Sequence, residues 1–302
     1  MRWTPPLVRP EHLMKNIFTI LLLSFAIAGI VGCNDKGTSL SAQRPGKVIA
    51  TAAYEKYFGA TPPVDKGLAY AFVIYFPSAK TPGKVVPFPF FTFDEGSIKK
   101  VAVGRLLEGM DTGSYAGEFT PFPKGSRLLS LNDDQGTVTV NFSKEVLAAT
   151  DTSAKTATAT ALGLTLRQFK GGMQVRVLVE GKESPLDALA KIADDSAVQQ
   201  PSPPRLLSVT AMRDKGAREI EEVNAFFDRP VDVKELKLLA KDGHTFDGEL
   251  YHSVFDMAGV LKPKDRAQFT ERMPIKVRWK VVDKVGRQAE GENVWLLEVK
   301  EH

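Results

Sequence analysis

The residues able to do chemistry in this 302-residue chain are few and widely spaced. It has four histidines: His12, His244, His252 and His302. A metal site needs three or four converging ligands, each oriented by a partner of its own. No spacing brings a third ligand to His244, which follows the turn residues Asp242-Gly243, or to His252, which sits beside Tyr251 on an alternating stretch. Both read as ordinary surface or half-buried histidines, and no metal site is assigned. Asp133 and Asp134 form a carboxylate pair of the kind that serves calcium or acid–base chemistry. Adjacent side chains in a hairpin point different ways, and these residue types favour turns for local reasons alone. Turn chemistry is the reading. Gly171-Gly172 and Gly181 fit neither GxxxxGK[ST] nor GxGxxG, and no G-x-S-x-G elbow is present. The sequence therefore points to no catalytic residue, no cofactor and no enzyme. The rival classes are a cell-wall hydrolase whose site only folding would assemble, and a periplasmic metal-handling protein.

Cys33 is the only cysteine, which excludes disulfides and thiolate clusters. Its context is the most informative in the chain. Met14-Lys15-Asn16 begins a short polar region, and an uncharged apolar run, Ile17 to Gly32, leads directly to it. A charged start, an apolar run and small residues before a cleavage point make a secretory signal, with Met1 or Met14 as the start. Ile30-Val31-Gly32-Cys33 resembles a bacterial lipobox. That resemblance implies cleavage before Cys33, lipidation of its thiol, and anchoring by several acyl chains, palmitate among them. The alternative is a membrane-spanning helix, since the run approaches the spanning length. Asn34, not an aspartate, follows Cys33, so inner-membrane retention of the enterobacterial type is not indicated. The expected location is the cell envelope, facing the periplasm or the exterior, with residues 1–33 as signal and 34–65 as a flexible tether. Within that tether, Val48 to Tyr57 could make a short helix.

The elements beyond the tether follow from periodicity. Leu68 to Phe76 reads as a strand stopped by Pro77, and Val85 to Phe93 as a second whose Pro87 and Pro89 confine it to an edge or bulge. Ser97 to Gly109 and Ser153 to Phe169 read as helices, the second rich in threonine and stopped by Gly171-Gly172. Between them, Leu129 and Leu131 alternate into a turn (Asn132-Asp133-Asp134-Gln135-Gly136), and Val138, Val140 and Phe142 alternate out. Ser143 then caps a short helical segment, and Val175 to Val179 is a further strand. Phe88, Phe90, Phe91, Phe93, Tyr115, Phe119 and Phe122 cluster around the first helix. Most of them belong in a core, with a fraction available as an apolar patch for a partner.

These residues carry a resemblance. Pro123, Gly125, Ser126, Leu128-Leu129-Ser130, Gly136, Val138, Val140-Asn141-Phe142-Ser143 and Val175 to Lys182 are similar to the GerMN domain, over about 66–184. The family's helix ending L-L-x-G-P is Leu106-Leu107-Glu108-Gly109-Met110 here. The resemblance implies an α+β domain, a small sheet with helices on one face, related to ring-building motifs. It also implies no catalytic residues, and membership of a group found in bacterial envelope lipoproteins and spore-germination proteins.

Residues 185–204 read as a short helix and a Pro/Ser-rich linker. From 205 to 302 the period becomes two, with short strands at Leu207–Ala211, Val223–Phe227, Leu236–Leu238, Glu249–Phe255, Ile275–Val281 and Trp295–Val299. Phe227 to Asp232 (F-D-R-P-V-D) and Val277 to Asp283 (V-x-W-x-V-x-D) resemble bacterial Ig-like domains, implying an all-β sandwich. Copper-binding Ig-like proteins often carry a histidine after the glycine of the final hairpin turn. Here Arg287 follows Gly286, so copper is not supported. The net charge of +4 shows no dense basic cluster, so no nucleic-acid partner is expected. The expected function is non-catalytic binding or assembly at the membrane, through the lipid and with an envelope protein, peptidoglycan or further copies of the chain. The sequence assigns no ligand-binding residue.

Overall fold

The computed structural model describes residues 46–110, 113–148, 151–169 and 174–301. Cys33, the signal 1–33 and Gly171-Gly172 lie outside the described residues. Among those described, no helix is long and apolar enough to cross a membrane.

The first half runs β1 (Lys47–Ala50), α1 (Ala52–Phe58), β2 (Leu68–Pro77), β3 (Val85–Thr92), α2 (Ile98–Glu108), β4 (Leu128–Asp134), β5 (Thr137–Phe142), α3 (Thr152–Arg167), β6 (Gln174–Val179), β7 (Lys182–Glu183) and α4 (Pro185–Ile192). The expected α+β class holds, with its sheet divided in two, ordered β1-β2-β3 and β4-β5-β6-β7. One hydrophobic core serves both sheets, joining Phe72, Ile74 and Phe76 of β2 to Val140 and Phe142 of β5 and to Leu162 and Leu166 of α3. The hairpin turn is tighter than expected. The strands run through Asp134 and resume at Thr137, leaving Gln135 and Gly136, both at positive φ, as a two-residue turn. β5 and β6 lie parallel, pairing Val138 with Val175 and Val140 with Val177, with α3 in the crossover.

The tether expectation is corrected for residues 46–65. β1 pairs parallel with β2, and α1 buries Tyr54, Tyr57 and Phe58 in the first core. Thr51 caps α1 by accepting a hydrogen bond from the Tyr54 amide. The apolar spacing of Tyr54, Tyr57 and Phe58 is that of a helix face, which makes this segment part of the domain.

Gly163 lets α3 pack closely on α4. A Cβ there would lie 2.5 Å from the carbonyl oxygen of Ala190 on α4. Alanine is the better helix former by about 1 kcal/mol, yet here it would force backbone away from backbone. Gly163→Ala is expected to destabilise by about 1–3 kcal/mol, measured by urea unfolding; a stabilised variant would contradict this packing.

The second half is β8 (Leu206–Arg213), β9 (Glu222–Phe227), β10 (Val231–Leu239), β11 (Gly248–His252), β12 (Ala258–Pro263), β13 (Pro274–Asp283), β14 (Gln288–Leu296) and β15 (Glu298–Glu301). Its sheets are ordered β10-β13-β14 and β11-β12-β9-β8-β15. Val209, Val223 and Phe227 of one share a core with Leu236, Val277 and Trp279 of the other, which makes a β-sandwich. The stretch 249–255 breaks at His252 into a short 3-10 turn, Val254–Asp256. β12 and the polar first half of β14 are additional to the strands expected.

Residues 44–302 form one compact unit, and the 194–204 stretch is laid along it. The Gln199 amide donates to the Val85 carbonyl, and Pro201 and Pro204 are buried.

Candidate functional site

A groove of about 900 Å³ opens between the two sheets of the first half. One wall is β1, with Ile49 and Ala50; the other is β4, with Leu129, Leu131 and Asp133. Lys99 and Lys100 of α2 and Gln168 at the end of α3 also line it. Both walls are edge strands, since β1 pairs only with β2 and β4 only with β5. Edge strands carry a row of main-chain donors and acceptors without a ladder partner.

Gln168 builds one end of the groove. β1 stops at Ala50, and the edge of β2 beyond it would be bare at Val73, a fully buried residue. The Gln168 side-chain amide takes that place: Oε1 accepts from the Val73 amide (2.8 Å), and Nε2 donates to the Val73 carbonyl (2.5 Å). Oε1 also accepts from the Thr51 hydroxyl (2.9 Å), and the Thr165 hydroxyl accepts from the Tyr75 amide (3.2 Å). A primary amide offers the same donor–acceptor pair as a peptide group, so one side chain stands in for a strand residue. The sequence reading missed this. A glutamine and a threonine three apart at the end of a helix are the only trace it leaves.

The charged residues of the groove are mostly committed. The Tyr70 hydroxyl donates to Glu95 (2.8 Å), and the Glu95 hydrogen bond raises the tyrosine's pKa, burial adding to it. Lys99 is ion-paired with Asp133. Asp133 and Asp134 sit on β4 itself and not in the turn, so alternation sends their side chains to opposite faces of the strand. The carboxylate-pair geometry is absent there. Among the described residues no group of three or more His, Cys, Asp or Glu converges as a metal site. His244 meets Asp242 (Nδ1 to Oδ1, 2.6 Å) and the ring of Phe246; His252 lies 3.8 Å from Asp256.

The aromatic cluster divides. Phe88, Tyr115, Phe119 and Phe122 are core, and Phe93 is 49% exposed. Phe91 stacks on Phe255 of the second half (centroids 4.4 Å, planes 10° apart), and Phe93 leans on the same ring at 5.3 Å. Phe255 and Asp256 both have positive φ, 63° and 53°, an arrangement that costs energy and persists only where neighbours impose it. Burial first, then the nearby Asp256 carboxylate, push the Tyr54 phenol well above its ordinary pKa.

A buried ionic chain crosses the same seam. Arg229 clamps Asp228 through Nε (3.0 Å) and a terminal nitrogen (2.7 Å). Asp228 also accepts from the Tyr115 hydroxyl (2.6 Å) and the Arg205 amide (3.1 Å). Asp283 lies 3.6 Å from Arg229 and accepts from Arg287 Nε (2.6 Å), while Arg287 donates to the Tyr57 carbonyl (2.9 Å). Burial works against the Arg229 charge, but Asp228, Tyr115 and Asp283 together hold the guanidinium above its ordinary pKa. Burial, then Asp228, push Tyr115 up. Gly113 fits this seam because a Cβ would fall 2.2 Å from the Leu207 carbonyl oxygen, and its φ is +52°. The F-D-R-P and V-x-D segments thus supply the second half's grip on the first.

Residues 73–185 match the Germane family, described as sporulation and spore germination. No curated protein matches the chain. Among solved structures, the first GerMN domain of the sporulation protein GerM from Bacillus subtilis is 16% identical, covering 43% of this chain and 97% of its own, with a TM-score of 0.33. A putative lipoprotein from Clostridium perfringens is 20% identical over 38% of this chain and 76% of its own, TM-score 0.26. CopC from Methylosinus trichosporium OB3b is 13% identical over 32% of this chain and 89% of its own, TM-score 0.22. The matched stretch, residues 73–185, lies within the α+β first half of the chain and is similar to the Germane family.

Proposed function

We propose that this protein is a non-catalytic binding or assembly module of the bacterial envelope, held to a membrane by lipid on Cys33. The observation that carries the reading is the groove, a long open site whose walls are unpaired strand edges and whose carboxylates are already engaged. Glu95 is taken by Tyr70, and Asp133 by Lys99. Neither is free to act as an acid–base partner to the other. Main-chain edges and half-exposed apolar side chains suit recognition, not bond-making. The Ig-like sandwich clamped behind the groove suits a scaffold.

Anchoring is tested by Cys33→Ala. The variant is expected in the soluble fraction, or at unprocessed size, where the parent chain sediments with membranes. Membrane fractionation at mature size would contradict lipidation. Crosslinking of the anchored protein in cells, followed by pull-down, identifies what it binds; peptidoglycan, an envelope protein and a second copy are the outcomes to separate.

A further inference from the structure

We propose that the groove receives an extended segment of a partner protein as an added strand on β4, with an acidic side chain of that segment meeting Lys100. This deepens, and rests on, the reading of the domain as a binding module.

The hydrogen-bond alternation of the hairpin carries the first part. Asp134 and Thr137 flank the two-residue turn and are therefore a hydrogen-bonded pair, as are Asn132 and Thr139 two positions on. The main-chain N–H and C=O of Leu131 and Asp133 consequently point away from β5, on the groove side of an edge strand. A row of alternating donors and acceptors at strand spacing is complementary to one kind of ligand, another extended main chain. A glycan or a lipid tail offers no such row. The edge of β4 is within the ordinary length of a strand.

The side chains narrow the ligand. Leu129 is 46% exposed, and Ile49 on the facing wall is 42% exposed, so alternate side chains of an added strand meet apolar surface on both sides. Leu129 occupies the register shift between Leu128 and Ser130, which bends the strand at that point. A bulge of this kind also limits indiscriminate edge-to-edge pairing, leaving the stretch from Ser130 to Asp134 as the usable edge.

Charge completes the match. Of the four charged side chains lining the groove, Glu95, Lys99, Lys100 and Asp133, only Lys100 has no ion pair or hydrogen bond among the described residues. The groove presents one unspent positive charge, and its complement is a carboxylate.

The test is a fluorescence titration of the full chain in detergent micelles with a labelled heptapeptide library of alternating valine and threonine, one glutamate placed at each position in turn. Two control sets carry lysine for glutamate, or N-methylated alternate amides. Glutamate peptides in some register should bind, and the N-methylated set should lose that binding. Lys100→Glu should weaken glutamate peptides about tenfold and favour the lysine set, at unchanged unfolding temperature. Leu129→Arg should weaken both sets. No binding by any peptide, equal binding of N-methylated peptides, or indifference to Lys100→Glu would each overturn the proposal. Crosslinking in cells separates it from the reading beneath it. If Lys100→Glu leaves the partner crosslinks intact, the groove assignment falls and the binding module stands; if the parent chain gives no crosslinks, the module reading itself falls.

Discussion

Arg229→Met is expected to cost about 3–5 kcal/mol of stability, the range for removing one partner of a buried ion pair. Arg229 and Asp228 are both essentially inaccessible, and the contact is a two-point fork. Methionine approximates the volume, so a cavity contributes little and the loss is electrostatic. Asp228 would keep the Tyr115 hydroxyl and the Arg205 amide, but no buried cation. Asp283 would keep Arg287 and lose its second cation at 3.6 Å. The guanidinium also lies 5.7 Å over the Phe58 ring, a contact across the seam that methionine replaces without the charge. For a unit of this size the loss corresponds to roughly 10 °C in melting temperature, read by calorimetry. Adding Asp228→Asn to Arg229→Met should recover part of it, because the uncompensated carboxylate is then gone. A single variant within about 1 kcal/mol of the parent, typical of exposed pairs, would show that this pair is not buried as described.

Gln168→Ala is expected to cost about 2–3 kcal/mol, from leaving the Val73 amide and carbonyl without partners inside the first core. The loss should concentrate locally, as faster hydrogen exchange of the Val73 amide. Gln168→Glu sharpens the argument. A carboxylate can still accept from the Val73 amide and from Thr51, but it sets an anion against the Val73 carbonyl. Its proton is therefore bound more tightly in the folded state than in the unfolded one. A carboxyl with a raised folded pKa adds stability at low pH and loses it as pH rises through the ordinary glutamate value of about 4.3 and then the folded one. The Gln168→Glu chain should accordingly fall short of the parent by less near pH 4 than at pH 8. A deficit that does not vary with pH would show that the amide's donor to Val73 contributes nothing.

What could be read in the sequence was what depends on neighbours in the chain. The Lys124–Val146 hairpin, both long helices and the strand at Val175 declared themselves by alternation, helical spacing and turn residues. β1 did not, because four residues become a strand only through parallel pairing with β2, more than twenty positions on. β12 was hidden by glycine and proline. Gly259 is small there because a Cβ would meet Leu236 Cδ2 at 2.6 Å. β14 was hidden by Glu290 and Glu292, which pair with Lys280, Lys276 and Arg278 on β13, and by Gly291, which lies under Trp279. The groove needs β1, β4 and Gln168 together, and no local pattern joins residues 49, 131 and 168. The buried seam was visible only as segments, F-D-R-P and V-x-D, whose partners Tyr115 and Tyr57 belong to the other half.

The Pro/Ser-rich stretch at 194–204 is where the chain would be divided by composition, and the ionic seam makes that division thermodynamically misplaced. Separate the halves there and each is left with a face built like an interior. Arg229, Asp228 and Asp283 would need water where they now have protein, and Phe255 would lose the ring that justifies its left-handed backbone. The molecule has two cores, and the buried charges of the second complete their hydrogen bonds on the first. Heat or denaturant that loosens the first half withdraws the Tyr115 hydroxyl from Asp228 and the Tyr57 carbonyl from Arg287, so the halves should melt together.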